Sequence, residues 1–498
     1  MPAELTVPAE LRRHAHSERP LLICDSERVS YAEAYDASAA LARELLATGA
    51  GKGTHIGLLY PNGVAFVVAM LAAARIGAVV VPFSTFGTAA ELRAQLADAD
   101  IEILLSARRY RGNDYVERLA GVSDVEAPCL RRVWFDTDEL IRLGEGVDPE
   151  LLAACEDDVD GCDVLAIIYT SGSTGPPKGA VHTHESLLGH QRNLNEIRGL
   201  TPGDRLFCNS PFFWIGGFGF ALLATLLAGS TLICSNAVEP AETLDLLEAE
   251  QPTVTNGFVA GIAALTRHPS FGSRDLSSMR RGNLYPIMAP DARPADPDLR
   301  HNMLGMTEAG SVVLLSGDDT DQPESRRGSY GKPAPGFETM VLGSGELCIR
   351  GPYLMQGYYG RSREESFDAD GWFHTGDLVR VDDDGFYYFV GRAGAMIKTA
   401  GANVTPAEVE KALDSVLDGA ATAHVLGLPD PERGQIVAAV LVLDRPLDIA
   451  DDLLRSRLRE LLSAYKIPRR FVRIPRAQLP VMSSGKIDMP ALARLFDD

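Results

Sequence analysis

Apolar positions in the first half of the chain fall into short runs divided by polar or glycine-rich punctuation. HIGLLY (55–60), VVVPF (79–83), IEILL (101–105), VLAIIY (164–169) and STLIC (230–234) have the length and composition of strands. Helical patterns alternate with them from residue 21 to about 265, which predicts α/β layers. Between 328 and 392 the texture changes to short strands and turns, as in GELCIRG, GWFHTGD and DDDGFYYFVGR. That stretch predicts a small β-rich subdomain closing the large one. A fresh α+β pattern starts after Arg392. Thr405-Pro406-Ala407-Glu408 reads as a capping box with proline at the first helical position, and Val409, Leu413 and Val416 follow on one face. A second helix over about 451–463 sets Leu454, Leu458, Leu461 and Leu462 on one side. The expected organisation is a large N-terminal domain of layered α/β subdomains over 1–392, a hinge at 393–396 and a small mobile α+β domain over 397–498. Small residues, Ala393-Gly394-Ala395, suit the hinge because they absorb backbone rotation easily.

Residues 207–238 carry no charged side chain, long enough to suggest a membrane span. Asn209-Ser210-Pro211, Gly216-Gly217 and Gly229-Ser230-Thr231 interrupt them, so they read as loop, buried helix (about 217–228), turn and strand (231–235). Residues 67–81 are similar, with Arg75 inside. The formal charge is −21, from 47 basic and 68 acidic residues. Such a chain is a poor general binder of nucleic acid or of anionic membrane, because phosphate neutralisation needs local positive charge. An anionic ligand must therefore be held by a few placed cations and backbone N–H groups. Only seven residues are lysine: Lys52, Lys178, Lys332, Lys398, Lys411, Lys466 and Lys486. The seven cysteines are scattered without C-x-x-C spacing, as free thiols in a reducing cytoplasm would be. The opening MPAELTVPAELRRHAH has no apolar core segment, so no signal peptide is expected.

The strongest local signal is YTSGSTGPPKGAV, residues 169–181. An apolar strand runs into a loop of Ser, Thr and Gly. Glycines let N–H groups converge on an oxyanion, hydroxyls add donors, and Lys178 adds charge. This is a phosphate cradle, although it lacks the G-x-x-x-x-G-K-[S/T] pattern of a P-loop.

The segment resembles the phosphate-loop signature of the AMP-forming adenylating superfamily, which includes acyl-CoA synthetases, peptide-synthetase adenylation domains and luciferases. The resemblance runs through the chain in LGMTEAG (304–310), GELCIRGPYLMQGYYGR (345–361), FHTGDL (373–378), GRAGAMIKTAGANVTPAEVE (391–410) and YKIPRRF…SSGKI (465–487). It implies ATP- and Mg²⁺-dependent conversion of a carboxylic acid to an acyl-adenylate, then attack by the thiol of coenzyme A. It further implies that Thr170, Ser171, Gly172, Ser173, Thr174, Gly175 and Lys178 hold phosphates. Ala289, Pro290 and Gly305 would line the nucleotide, and Thr307 would touch the α-phosphate. Glu308 would hold Mg²⁺, Asp377 would accept the ribose hydroxyls, and Arg392 would donate to the nucleotide. Asp377, in a Gly-Asp turn, and Glu308, at a helix start, also have ordinary structural readings. Lys486 would neutralise charge during adenylation. The small domain would then rotate about Gly394 so that Lys398 and Gly401 enter with the pantetheine tether. PFFWIGGFG (211–219) matches the acyl-pocket motif, with Trp214, Gly217 and Phe218 as wall or gate and Gly257 and Phe258 opposite.

Four features depart from the family pattern. The connection from Met288-Ala289-Pro290 to Leu304 is short and holds Pro294 and Pro297, so an uninterrupted helix is not expected there. Leu304 stands where an aromatic would stack on adenine, a loss of about 1–3 kcal/mol by analogy with base stacking. Gly394 replaces a charged hinge residue, and Trp214 replaces the usual gate. The first two weaken the ATP-using half, so a second reading is kept: an enzyme that mainly thioesterifies an acyl-adenylate made by a partner enzyme. A luciferase-like oxygenase fits less well because the sequence shows no luciferin pocket, and an amino-acid activator because PFFWIGG offers no acid for an ammonium group. A non-catalytic nucleotide sensor is the non-enzyme alternative. The expectation is a cytoplasmic acyl-CoA ligase for a small hydrophobic acid, with no membrane span and no nucleic-acid partner; a homo-oligomer is left open.

Overall fold

The computed structural model describes residues 5–122, 126–135, 146–170, 177–392, 396–443, 449–480 and 487–497. Its contacts divide the chain into two units, one of residues 1–85, 95–170 and 179–391, the other of 86–94, 171–178 and 392–498.

Two six-stranded sheets form the first unit's main layers. One runs in the order Arg281–Gly282, Val254–Asn256, Arg205–Cys208, Thr231–Cys234, Pro20–Cys24, Glu27–Ser30, and all its pairings are parallel except the last. The other runs Lys178–Thr183, Val164–Thr170, Val79–Pro82, His55–Leu59, Ile103–Ser106, Arg132–Trp134. Parallel strands need helical crossovers that cover both faces, so these strands read as continuous apolar runs. The helix Val64–Arg75 (VAFVVAMLAAAR) is apolar on every side because it is buried, from Phe66 through Arg75 with Val68 partly covered. Arg75 is tolerated there because its Nε donates to Glu156 at 2.5 Å.

Residues 215–228 are helical as expected, with a π-helical segment, Phe218–Leu223, between α turns. No helix among the described residues is long and apolar enough to cross a membrane. The β-rich region holds a three-stranded and a four-stranded antiparallel sheet around a separate core that includes Leu304, Val313, Leu347, Ile349 and Phe373. Residues 288–303 carry only one short 3₁₀ turn, Pro297–Leu299, so the expected lack of a helix there is observed.

In the second unit, Ala421–Asp430 and Gly434–Leu443 form a long antiparallel hairpin, flanked by Ile397–Thr399 and Arg470–Pro475. The helices Pro406–Leu417 and Asp451–Leu458 cover one face, and Met489–Arg494 covers the other. Two expectations need correction. Pro406 does occupy the first helical turn after Thr405, but the Thr405 side chain makes no capping bond. Glu408 instead accepts a hydrogen bond from Lys466 Nζ at 2.8 Å, a charged partner stronger than a backbone N–H. The second helix ends at Leu458, so Leu461 leaves the common face and is exposed, whereas Leu454, Leu458 and Leu462 are buried.

Candidate functional site

The strand Val164–Thr170 precedes the candidate phosphate-loop segment, and Thr170 is half-buried at its end. Ser171, Gly172, Ser173, Thr174 and Gly175 lie outside the described residues. The chain returns as the strand Lys178–Thr183, with Lys178 half-buried. Gly179 is required by close approach: a Cβ there would fall 2.5 Å from Ile167 Cγ2 and 3.1 Å from the Tyr169 ring. The returning strand also pairs with 356–359. Val181 N–H donates to Gly357 C=O at 3.0 Å, and Tyr359 N–H donates to Gly179 C=O at 2.8 Å.

That pairing brings Tyr358 to Glu308, where its hydroxyl donates to Oε1 at 2.6 Å. Thr307-Glu308-Ala309 is a single 3₁₀ turn after the short strand Leu304–Met306. Its backbone is fixed from two sides. His182 Nε2 donates to Thr307 C=O at 2.7 Å. Met355 N–H donates to Glu308 C=O at 2.8 Å. His182 is fully buried, and burial pushes its imidazole down to about 4, so the ring is a neutral donor. Sequence reasoning missed both His182 and Tyr358 as partners, though His182 stands four residues after Lys178 and Tyr358 within the quoted GYYG. Thr307 and Glu308 are half-buried, and Gly305 is exposed. Leu304 is 5% exposed and packs into the core, so it presents no surface to a ring.

The acyl-motif segment meets this turn. A Cβ at Gly219 would lie 3.1 Å from Gly310 C=O, the same oxygen that accepts from Gln191 Nε2 at 3.0 Å. Gly217 is demanded by its own loop, since a Cβ would sit 2.1 Å from Pro211 C=O. Trp214 is half-buried and stands edge-on to Phe258, centroids 5.7 Å apart, and to Phe213 at 5.5 Å. Phe218 corrects the expectation of a gate. It is fully buried and packs edge-on against Phe66 at 6.4 Å, because the buried helix 64–75 lies behind it. A π-helical segment next to such residues is the sort of irregularity that marks functional sites. Ala289 is buried and Pro290 exposed.

Asp377 also needs correction. It lies in a bulge, not in a simple turn. The strand Phe373–Val381 pairs His374 with Cys348 and Leu378 with Glu346, so the single residue Leu347 on one strand faces three, Thr375, Gly376 and Asp377, on the other. Gly376 supplies the left-handed φ of +71°. The bulge turns Asp377 inward, 5% exposed, and its N–H donates to Thr375 Oγ1 at 3.0 Å. Burial, and the nearby Asp377 charge, push the Tyr330 phenol up.

In the second unit, Gly401 is half-buried and Lys398 exposed. Ile397–Thr399 and Ala402–Val404 pair through a two-residue turn in which Ala400 has φ +50° and Gly401 φ +86°. Positive φ at both positions is the type I′ hairpin signature. Gly394, Lys486 and the Arg392 side chain lie outside the described residues.

The profile of the AMP-binding enzyme family matches residues 10–359, and that of the AMP-binding enzyme C-terminal domain matches 408–486. The chain is 32% identical to a (7a-methyl-1,5-dioxo-octahydroinden-4-yl)propanoyl:CoA ligase of Mycobacterium tuberculosis, over 98% of this chain and 99% of that protein. It is 33% identical to a feruloyl-CoA synthase of Amycolatopsis, over 94% of each. Among solved structures it resembles o-succinylbenzoate CoA synthetase of Bacillus subtilis, with a TM-score of 0.78, 26% identity and 98% of each chain covered.

Proposed function

The chain belongs to the AMP-binding enzyme family, as an AMP-forming acid–thiol ligase of the acyl-CoA synthetase branch, and from that premise we propose that it activates an apolar, ring-bearing carboxylic acid. In the first step an oxygen of the acid attacks the α-phosphorus of ATP and pyrophosphate leaves. In the second, the thiol of coenzyme A attacks the acyl carbon, AMP leaves with its bonding electrons, and the thiol proton passes to solvent. The observation that supports the reading is the approach of Gly219, in the segment that carries Trp214, to Gly310 C=O at the end of the Thr307-Glu308 turn. Trp214, Phe213 and Phe258 suit a flat or alicyclic acid, and the relatives named above act on a bicyclic propanoate and a feruloyl group.

Mg²⁺ fits Glu308. Its half-buried carboxylate takes one hydrogen bond among the described residues, from Tyr358 to Oε1. A hard cation favours such oxygen, and when bound it would offset repulsion between the acid and the triphosphate. Glu308→Gln keeps an oxygen for Tyr358 but loses the charge. Adenylation is expected to fall about 10²-fold with the melting temperature unchanged; an equal fall in melting temperature would reassign Glu308 to a structural role.

Gly401 is read as lining the path of the pantetheine arm, where a thin tether needs backbone without side chains. Asparagine tolerates the left-handed region, so Gly401→Asn preserves the turn. Coenzyme A-dependent product formation from supplied acyl-adenylate is expected to drop more than about tenfold in this variant and further in Gly401→Leu. Full activity of Gly401→Asn would leave the glycine with a turn role only.

A second reading, in which adenylation is weak and acyl-adenylate comes from a partner enzyme, is favoured by the short 288–303 connection and the buried Leu304. One experiment separates the two. The enzyme receives acid, ATP and coenzyme A, or synthetic acyl-adenylate and coenzyme A. Pyrophosphate release in the first arm supports the full ligase; acyl-CoA in the second arm alone supports the split reaction.

A further inference from the structure

Three neighbouring parallel strands, Arg205–Cys208, Val254–Asn256 and Arg281–Gly282, end level with one another beside the aromatic wall. Their ladder stops at the Cys208–Asn256 and Thr255–Gly282 pairs, but hydrogen bonding does not. Asn209, just past the first strand, accepts from Phe258 N–H at 2.8 Å and donates to Phe258 C=O at 2.9 Å. Asn283, just past the third, accepts from Gly257 N–H at 3.0 Å and donates to Gly257 C=O at 2.8 Å. Each primary amide imitates a strand's peptide group, so the central strand's exit is held from both sides by a side-chain rung. The fit requires glycine at 257. Its φ is +143°, and a Cβ there would lie 1.8 Å from Asn209 Oδ1.

We propose that Asn209 and Asn283 are specificity-determining positioning residues that fix the gap between Phe258 and Trp214, and so the width of acid the enzyme accepts. This rests on the reading of Trp214 and Phe258 as walls of the acyl chamber. All four bonds end on backbone atoms, so the Phe258 ring has no polar tether of its own. Its 5.7 Å spacing from Trp214 is inherited from the clamp. Removing Asn283 leaves both polar groups of Gly257 without a partner among the described residues, and removing Asn209 leaves the Phe258 N–H so, its C=O keeping only the Gly261 N–H at 3.0 Å, and the 257–258 turn yields to a wider ligand.

The test uses the full chain with benzoate, cinnamate and 2-naphthoate. The readout is the ratio of kcat/KM for naphthoate to that for benzoate, which does not depend on how much enzyme is folded. Asn209→Ala and Asn283→Ala are each expected to raise the ratio at least tenfold, with KM for ATP unchanged. Gly257→Ala should give the same shift by unseating Asn209, and Asn209→Ala combined with Gly257→Ala should add nothing beyond the larger single effect. Ratios within twofold of the parent overturn the proposal. Calorimetric binding of the acids alone, without ATP, gives a second ratio. If the parent binds acids but forms no acyl-CoA from either acid or adenylate, the ligase reading fails, and the clamp stands or falls on whether the variants shift that ratio. Binding of none of the acids overturns both.

Discussion

Replacing Lys486 by alanine is expected to slow acyl-adenylate formation about 10²–10³-fold. Thioester formation from supplied acyl-adenylate should stay within a fewfold of the parent. The first step brings a carboxylate against a polyphosphate, and charge on the pentacoordinate phosphorus must be offset as it develops. A lysine aimed there would act only on that step if, as the resemblance implies, the small domain rotates it away before the thiol attacks and AMP leaves. The substitution should not unfold the second unit. The chain just beyond position 486 is anchored independently by the helix Met489–Arg494, with Leu492 and Phe496 buried beneath the hairpin. Pyrophosphate release measures the first step and acyl-CoA appearance from synthetic adenylate the second. Equal losses in both would refute the division of labour between the lysine-bearing segments.

The second large effect is a loss of stability below pH 6.5. His182, His184 and His190 are fully buried, and burial pushes each imidazole down to about 4. Their bonds explain why they resist protonation. His182 and His190 each donate Nε2–H to a carbonyl, Thr307 at 2.7 Å and Val312 at 2.9 Å, and each Nδ1 is buried without a partner among the described residues. His184 accepts Val7 N–H on Nδ1, so a proton there would break a bond. The unfolded chain takes up protons below about pH 6.5 while the folded chain refuses them until about 4. Stability is therefore intact above 6.5 and falls through that window. Three groups at about 1.4 kcal/mol per pH unit remove about 6 kcal/mol by pH 5.

Glu44 works in the opposite sense. It is 1% exposed and neither carboxylate oxygen has a partner among the described residues. Burial pushes its carboxyl up to about 7, so the folded chain gains about 2 kcal/mol relative to the unfolded one as pH falls from 7 to 5. The histidines win, and a net loss of about 4 kcal/mol is expected. Denaturant melts at pH 7.5 and 5.0 measure it. His190→Gln keeps a donor for Val312 and cannot titrate, so it should shrink the drop by about 2 kcal/mol. An unchanged drop in that variant would exclude the histidines as its source.

Strands such as HIGLLY and VLAIIY were legible because parallel strands covered on both sides leave unbroken apolar runs. The segment 169–181 stood out as a candidate phosphate loop because Ser, Thr, Gly and Lys in that density have few other uses, but residues 171–176 lie outside the described residues. The errors share a cause. FHTGDL reads locally as a turn, and only its pairing with Glu346 and Cys348 shows the bulge that aims Asp377. Leu461 fits a helical period that Leu454, Leu458 and Leu462 obey, but the helix stops at Leu458. Phe218 belongs to an aromatic-rich motif, yet the helix at 64–75, far away in sequence, claims it for the core.

By itself the sequence determined the layered α/β architecture and the separate α+β end of the chain, since periodicity is written in neighbouring residues, and its ordered motifs carried the resemblance to the adenylate-forming class. Tertiary structure alone decided which groups hold the backbone and carboxylate of the candidate site. His182 under Thr307, Tyr358 on Glu308, and Asn209 and Asn283 on the 257–258 turn are hydrogen bonds across 26 to 125 positions of chain. Hydrogen bonds depend on distance and direction in space, and one-dimensional spacing carries neither until the sheets are assembled.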